Sequence, residues 1–218
     1  MRLGLQAGPC TRRARQPGAT LIEFTLALFL GVLPMVLAIL QVAALLVARN
    51  TVDLATFMAA RQGAMAGAEP GAMSRELARG LVPLYVRATR GGVTPADAVV
   101  VAYAAALADV AVFDSLVIDH PTRQALAQLG ELRNGRRVIA NDYIEFRPLA
   151  VQDANVLTIS VVHCQPLVVP LVGPSLAAAL SLLNGDPRQR RCLAAGRAPI
   201  VAHASLVMQS DVQAAGLR

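Results

Sequence analysis

The chain predicts an α+β protein: a long N-terminal transmembrane helix that continues into a small exported domain with an antiparallel sheet and packing helices. Three observations lead there. From Phe24 to Val47 no side chain is charged, and about 24 residues at 1.5 Å each span roughly 36 Å, enough to cross a hydrocarbon core with some tilt. Past that run, apolar and small residues keep a helical period as far as Ala66. Late in the chain the period shortens, and runs of β-branched residues alternate with turn signals.

Residues 19–66 read as one continuous helix. Val52, Ala55, Ala59 and Ala66 recur at helical spacing, and nothing breaks the pattern before Gly67 and Pro70. Small residues on this stretch would let other helices approach closely. Pro34, mid-run, is expected to kink the helix or loosen a turn. Residues 67–72 form a break, and Ser74 opens a short helix carrying Leu77, Leu81, Leu84 and Tyr85, which Pro83 interrupts. After Gly91-Gly92, Thr94-Pro95-Ala96-Asp97 supplies a cap, a proline at the first helical position and an acid at the third, so a helix over 95–108 is expected, with a strand through Val99-Val100-Val101 as the alternative.

From Val110 the reading turns to strands. Residues 111–119 read as a strand, Pro121-Thr122 opens a helix ending near Leu132, and Asn134-Gly135 is a turn. Residues 136–146 and 155–164 are strands on either side of a loop containing Pro148, the second of them central to the sheet. Residues 167–183 are apolar but broken by Pro170 and Pro174, too short for a second span, and are expected to pack on the core as a helix. Asn184 to Pro187 ends that helix, and residues 200–212 form the last strand.

Composition narrows the function. Aromatics at 4% and the absence of Trp argue against a large aromatic-lined ligand site. The net charge of +6 invites a nucleic-acid reading, but Arg2, Arg12, Arg13 and Arg15 stand before the helix with no acid among them. From Ala19 onward 16 basic face 14 acidic side chains, and no nucleic-acid partner is expected. The leading arginines place the N-terminus in the cytoplasm and everything after Val47 outside it. A cleaved secretory signal fits poorly, because its apolar region is about half as long.

Glu23 is the one carboxylate at the edge of the run, and an acid inside a membrane costs on the order of 3 kcal/mol, so it requires a partner. A cut between Gly18 and Ala19 would create an α-amino group one helical turn before it, available to Glu23 of the same or a neighbouring subunit. The stretch Gly18-Ala19-Thr20-Leu21-Ile22-Glu23-Phe24 resembles the cleavage and assembly signal of type IV prepilins and pseudopilins. Asn141-Asp142 and residues 151–159, 163–167, 169–172 and 199–210 look like the C-terminal pattern of TadE-like proteins, the pseudopilins of tight-adherence (Flp-type) pili; 67–110 match poorly. The resemblance implies a leader over 1–18, an assembly helix over 19–66 and a periplasmic or extracellular domain over 67–218. It also implies cleavage between Gly18 and Ala19 by a prepilin peptidase, and Glu23 pairing with an amine during assembly. The implied partners are other pilins, an inner-membrane assembly platform and membrane lipid; no cofactor is implied. A domain this large resembles a minor subunit supporting adhesion.

Cleavage would remove Cys10 and leave Cys164 and Cys192 as an even pair in an oxidising compartment, either bridged or as two buried thiols. No catalytic constellation is visible: His120, His163 and His203 are isolated, and Arg188-Gln-Arg-Arg191 reads as a solvated basic turn or a contact for an acidic surface. The protein is therefore read as a structural subunit and not as an enzyme. An uncleaved periplasmic assembly factor and an anchored exported enzyme, with a pocket near His163 or His203, are the alternatives. Mass spectrometry of the protein from membranes of its native host is expected to find Ala19 as the first residue; an intact Met1 would remove the processing argument.

Overall fold

A computed structural model describes residues 19–86, 94–167, 172–183, 185–213 and 217. The N-terminal helix is continuous through α1 (Ala19–Ala27), a π-helical turn (Leu28–Val32) and α2 (Leu33–Met65). The wide turn answers the expectation for Pro34. Proline brings no N–H and crowds the carbonyl four residues back, and here the Leu33 N–H bonds Leu28 O, five residues back, so the helix widens instead of breaking. Over Leu21–Met65 the helix is long and apolar enough to cross a membrane.

The two halves of this helix differ in what covers them. Most side chains from Leu21 to Val47 are exposed, whereas Ala48, Val52, Ala55, Thr56, Ala59, Ala60, Gly63 and Ala64 form a buried stripe. That stripe is almost all small residues, so α3 (Pro70–Tyr85) can lie close against it. Gly80 sits over Ala55, and Met73 fills the space at Gly63. The chain reverses between them through Gly67 and Ala68 at φ of 66° and 64°. Helix α3 starts at Pro70, four residues before Ser74, and runs through Pro83 rather than stopping there, held by Leu77, Ala78 and Leu81 against α2.

Helix α4 (Pro95–Val112) begins as expected: the Thr94 hydroxyl accepts from the Asp97 N–H at 3.4 Å and donates to its carboxylate at 2.5 Å. It packs on α3 through Ala102, Ala106 and Val110 and leaves Val99, Val100, Val101, Leu107 and Val112 exposed. Its alanine-rich end continues to Val112, so the expected strand over 111–119 starts late, as β1 (Ser115–His120). Next come α5 (Arg123–Leu129), capped by Thr122, and the hairpin β2 (Glu131–Arg133) and β3 (Arg136–Ile139). Asn134 and Gly135 take positive φ at the turn. The strand expected to reach 146 ends at Ile139 and gives way to a 3-10 turn at Ile144–Phe146. The Pro148 loop contains α6 (Leu149–Ala154).

The main sheet has the order β1-β4-β5, all antiparallel, with β4 (Val156–Pro166) central and β5 at Arg197–Val207. Both faces of β4 are covered. Leu157, Ile159 and Val161 join the main core against α2, while Val162 and Cys164 meet Cys192, Phe113 and Val201 on the other side. The second cover is α8 (Pro187–Ala194), where a loop was expected; Asp186 caps it by accepting from the Arg188 N–H at 2.8 Å. A smaller sheet, β2-β3-β6 with β6 at Val212–Gln213, is pinned by Arg133 to Asp142 at 2.7 Å and to Asp211 at 3.4 Å. The expected helix is present as α7 (Val172–Leu183). It lies against α2, β5 and α8, and its side chains from Ala177 to Leu182 are half-buried or exposed.

Gly80→Ala tests the helix contact on which this arrangement rests. A Cβ there would lie 2.6 Å from Cβ and 2.7 Å from Cα of Ala55. Helix propensity favours Ala by about 1 kcal/mol, but overpacking against backbone costs about 1–3 kcal/mol. Thermal unfolding of the full chain in detergent should therefore show a net loss of stability; an unchanged or higher midpoint would contradict the close α2–α3 approach.

Candidate functional site

Two places carry the residues singled out by sequence. At the N-terminus, Ala19 opens α1, and Glu23 stands one turn later, exposed among Leu21, Ile22 and Phe24. Gly18 and Cys10 lie outside the described residues. Among the described residues no cation is within ion-pair distance of Glu23. Thr25, the other polar side chain of this turn, directs its hydroxyl to Leu21 O at 3.0 Å and Ile22 O at 2.9 Å, so its polarity is met within the helix. Among the described side chains of α1, the exposed surface is apolar apart from the Glu23 carboxylate.

The second place is the end of the main sheet where β4 finishes. A disulfide joins Cys164 on β4 to Cys192 on α8, with Cα atoms 5.1 Å apart, and clamps the helix over the strand. Beside it a polar cluster appears that sequence reasoning missed. His163 Nδ1 donates to Asp114 Oδ2 at 2.8 Å, and both side chains are 1% exposed. The other Asp114 oxygen accepts from the Cys164 N–H at 3.1 Å. Arg197 reaches Asp109 at 2.9 Å and the Cys164 carbonyl at 3.2 Å, with its guanidinium 3.9 Å from the Phe113 ring centre. Tyr85 donates to the same Asp109 oxygen at 2.7 Å. Burial, then the adjoining Asp109 carboxylate, push the Tyr85 phenol well above its ordinary value, so it stays a donor.

His163 therefore does have an acid that orients it, contrary to the sequence reading. Asp114 stands 49 positions away and is brought beside it by the pairing of β1 with β4. Buried on all sides, this pair ties the α4–β1 junction to β4; it does not face solvent. His120 and His203 are exposed at separate positions on β1 and β5. Among the described residues no three His, Cys, Asp or Glu side chains gather as metal ligands. The basic run lies on α8: Arg188 bonds Asp186 at 3.2 Å and Ser160 at 3.1 Å, while Arg190 and Arg191 are exposed. Between α7 and α8 runs a shallow groove lined by Ala177, Ala178, Ser181, Arg190, Leu193 and Ala194.

Comparison of the chain with family models, with curated proteins and with solved structures finds no match.

The disulfide closes a separation of 28 residues, and the chain-entropy relation gives such a bridge about 3–4 kcal/mol. The Cys164→Ala/Cys192→Ala variant is expected to unfold at a markedly lower temperature than the parent chain in detergent. An unchanged midpoint would show that α8 is held by packing alone.

Proposed function

We propose that the protein is a minor pseudopilin of a tight-adherence pilus. In this reading a prepilin peptidase cuts between Gly18 and Ala19, leaving the chain held in the inner membrane by a single pass with its domain in the periplasm. It then enters the pilus through α1 and the first half of α2, alongside other pilins and from the assembly platform. The observation that carries the proposal is the division of one continuous helix into an apolar half bearing a lone acid one turn from its start and a second half buried under a domain. A plain anchor needs only the apolar length. A subunit of a helical fibre also needs a bare, self-complementary helix surface and a way to neutralise its buried charge, and Glu23 with the amine of Ala19 supplies the second.

The domain supports a binding role by the same physics. Its most strongly coupled polar groups, His163 with Asp114 and Tyr85 with Asp109 and Arg197, are engaged with one another and fix the end of the sheet. Helix α4 presents an apolar outer face that could receive a companion subunit.

Glu23→Val should leave membrane insertion intact, since it removes an unfavourable charge from the helix, yet reduce the amount of the protein recovered in sheared pili. Glu23→Gln should do the same. Incorporation of both variants at the parental level would remove the charge-pairing argument, and with it the preference for a pseudopilin over an uncleaved assembly factor.

A further inference from the structure

We infer that α7 is a second membrane contact: it lies in the outer boundary of the bilayer beside α2, its exposed face in lipid, while Arg190 and Arg191 of α8 face the phosphate headgroups. This rests on the reading of Phe24–Val47 as a membrane span.

Position along α2 carries the inference. Helix α3 is antiparallel to α2, with Met73 at Gly63 and Gly80 at Ala55, so its last residue, Tyr85, falls near the level of Asn50. Burial on α2 nevertheless continues past that level: Leu45 is half-buried, Gln41 is 1% exposed, and Leu37 and Ala38 are half-buried. Gln41 lies six residues inside Val47, about 9 Å into the apolar run, a depth typical of interfacial helices. The sheet points the same way. The start of β4 is at Gly63 through Leu157, and the chain after β5 bonds Ala64 O through Gln209 N at 3.0 Å. The opposite end, Pro166 paired with Arg197, is thus directed toward the membrane end of α2, and α7 follows from it and packs on α2.

The chemistry of α7 suits lipid. No residue from Leu167 to Leu183 is charged, Leu182 is 88% exposed, and the Ser181 hydroxyl is satisfied by Ala178 O at 2.6 Å, as Thr25 is within α1. Next to this apolar helix, α8 offers two exposed arginines, the pattern of an acyl-chain contact bordered by headgroup-binding cations. A water-facing helix of this composition would leave an apolar strip bare, which seating α7 at the boundary avoids.

The protein contains no Trp, so single reporters are unambiguous. Full-length Leu182→Trp and, as a second reporter on the same face, Ala179→Trp would be reconstituted in phosphatidylethanolamine/phosphatidylglycerol vesicles with or without acyl-chain bromination. Phe29→Trp serves as the anchor reference and Phe146→Trp, 80% exposed beside the small sheet, as the distant one. The expected result is a loss of emission on bromination for both α7 reporters, approaching that of Phe29→Trp, with none for Phe146→Trp. Quenching of Phe29→Trp alone would overturn the placement of α7 while leaving the span intact. Equal quenching at Phe146→Trp would overturn it by showing indiscriminate adsorption of the domain. No quenching at Phe29→Trp would overturn the span and this inference together.

Discussion

The close approach of α3 and the main sheet to the second half of α2 is the contact from which the rest of the molecule follows. It depends on side chains that are nearly absent: Ala48, Ala55, Ala59, Ala60, Gly63 and Ala64 on α2, with Gly80 opposite Ala55. Little apolar area is gained per alanine, so the stabilisation comes from length and continuity. The stripe reaches from Gln41 to Ala64, and Met73, Leu77, Leu81, Leu157, Ile159 and Val161 supply the bulk that the helix lacks. A domain built this way cannot be separated from its helix without exposing its own core, so the long apolar helix and the domain fold as one element.

The sheet is closed from the other side by a small helix and one covalent bond. Six consecutive buried residues, Ile159 to Cys164, show that neither face of β4 is available to water. Helix α8 has eight residues, four of them Arg or Gln, and offers only Cys192 and Leu193 to the core. So short and polar an element has little packing to hold it, and the Cys164–Cys192 bond supplies what packing does not. The polar cluster of Asp114, His163, Asp109, Arg197 and Tyr85 then secures the turn from α4 into β1 at that same end. Each of these groups has a partner, and His163 and Asp114 are fully buried, so the cluster adds geometric definition at a sheet end that carries a covalent clamp.

The outer surface is divided by chemistry. Apolar residues cover the first half of the long helix, the outer face of α4 and the exposed side of α7, whereas ion pairs of Arg133, Arg147, Glu131, Asp142 and Asp211 gather around the small sheet at the far end. Arg133 holds the Asp142 carboxyl below its ordinary range.

Local patterns were legible in the sequence wherever the physical cause was local. The uncharged run, Glu23 near its start, the Thr94 cap and the Asn134-Gly135 turn each depend on residues within a few positions of one another. Counting gave three cysteines, and the pairing of Cys164 with Cys192 was one of two readings that the structure decided. What needed the tertiary structure was everything whose partner is distant. Asp114 orients His163 only because β1 pairs with β4, Pro83 stays helical because α3 is pressed onto α2, and the basic run near Arg190 becomes a helix because Cys192 anchors it over the sheet. The apolar stretch that forms α7 could not be placed by period or length. Its burial is decided by α2 beside it, and a hydrophobic pattern alone does not distinguish a face turned to a core from one turned to another apolar surface.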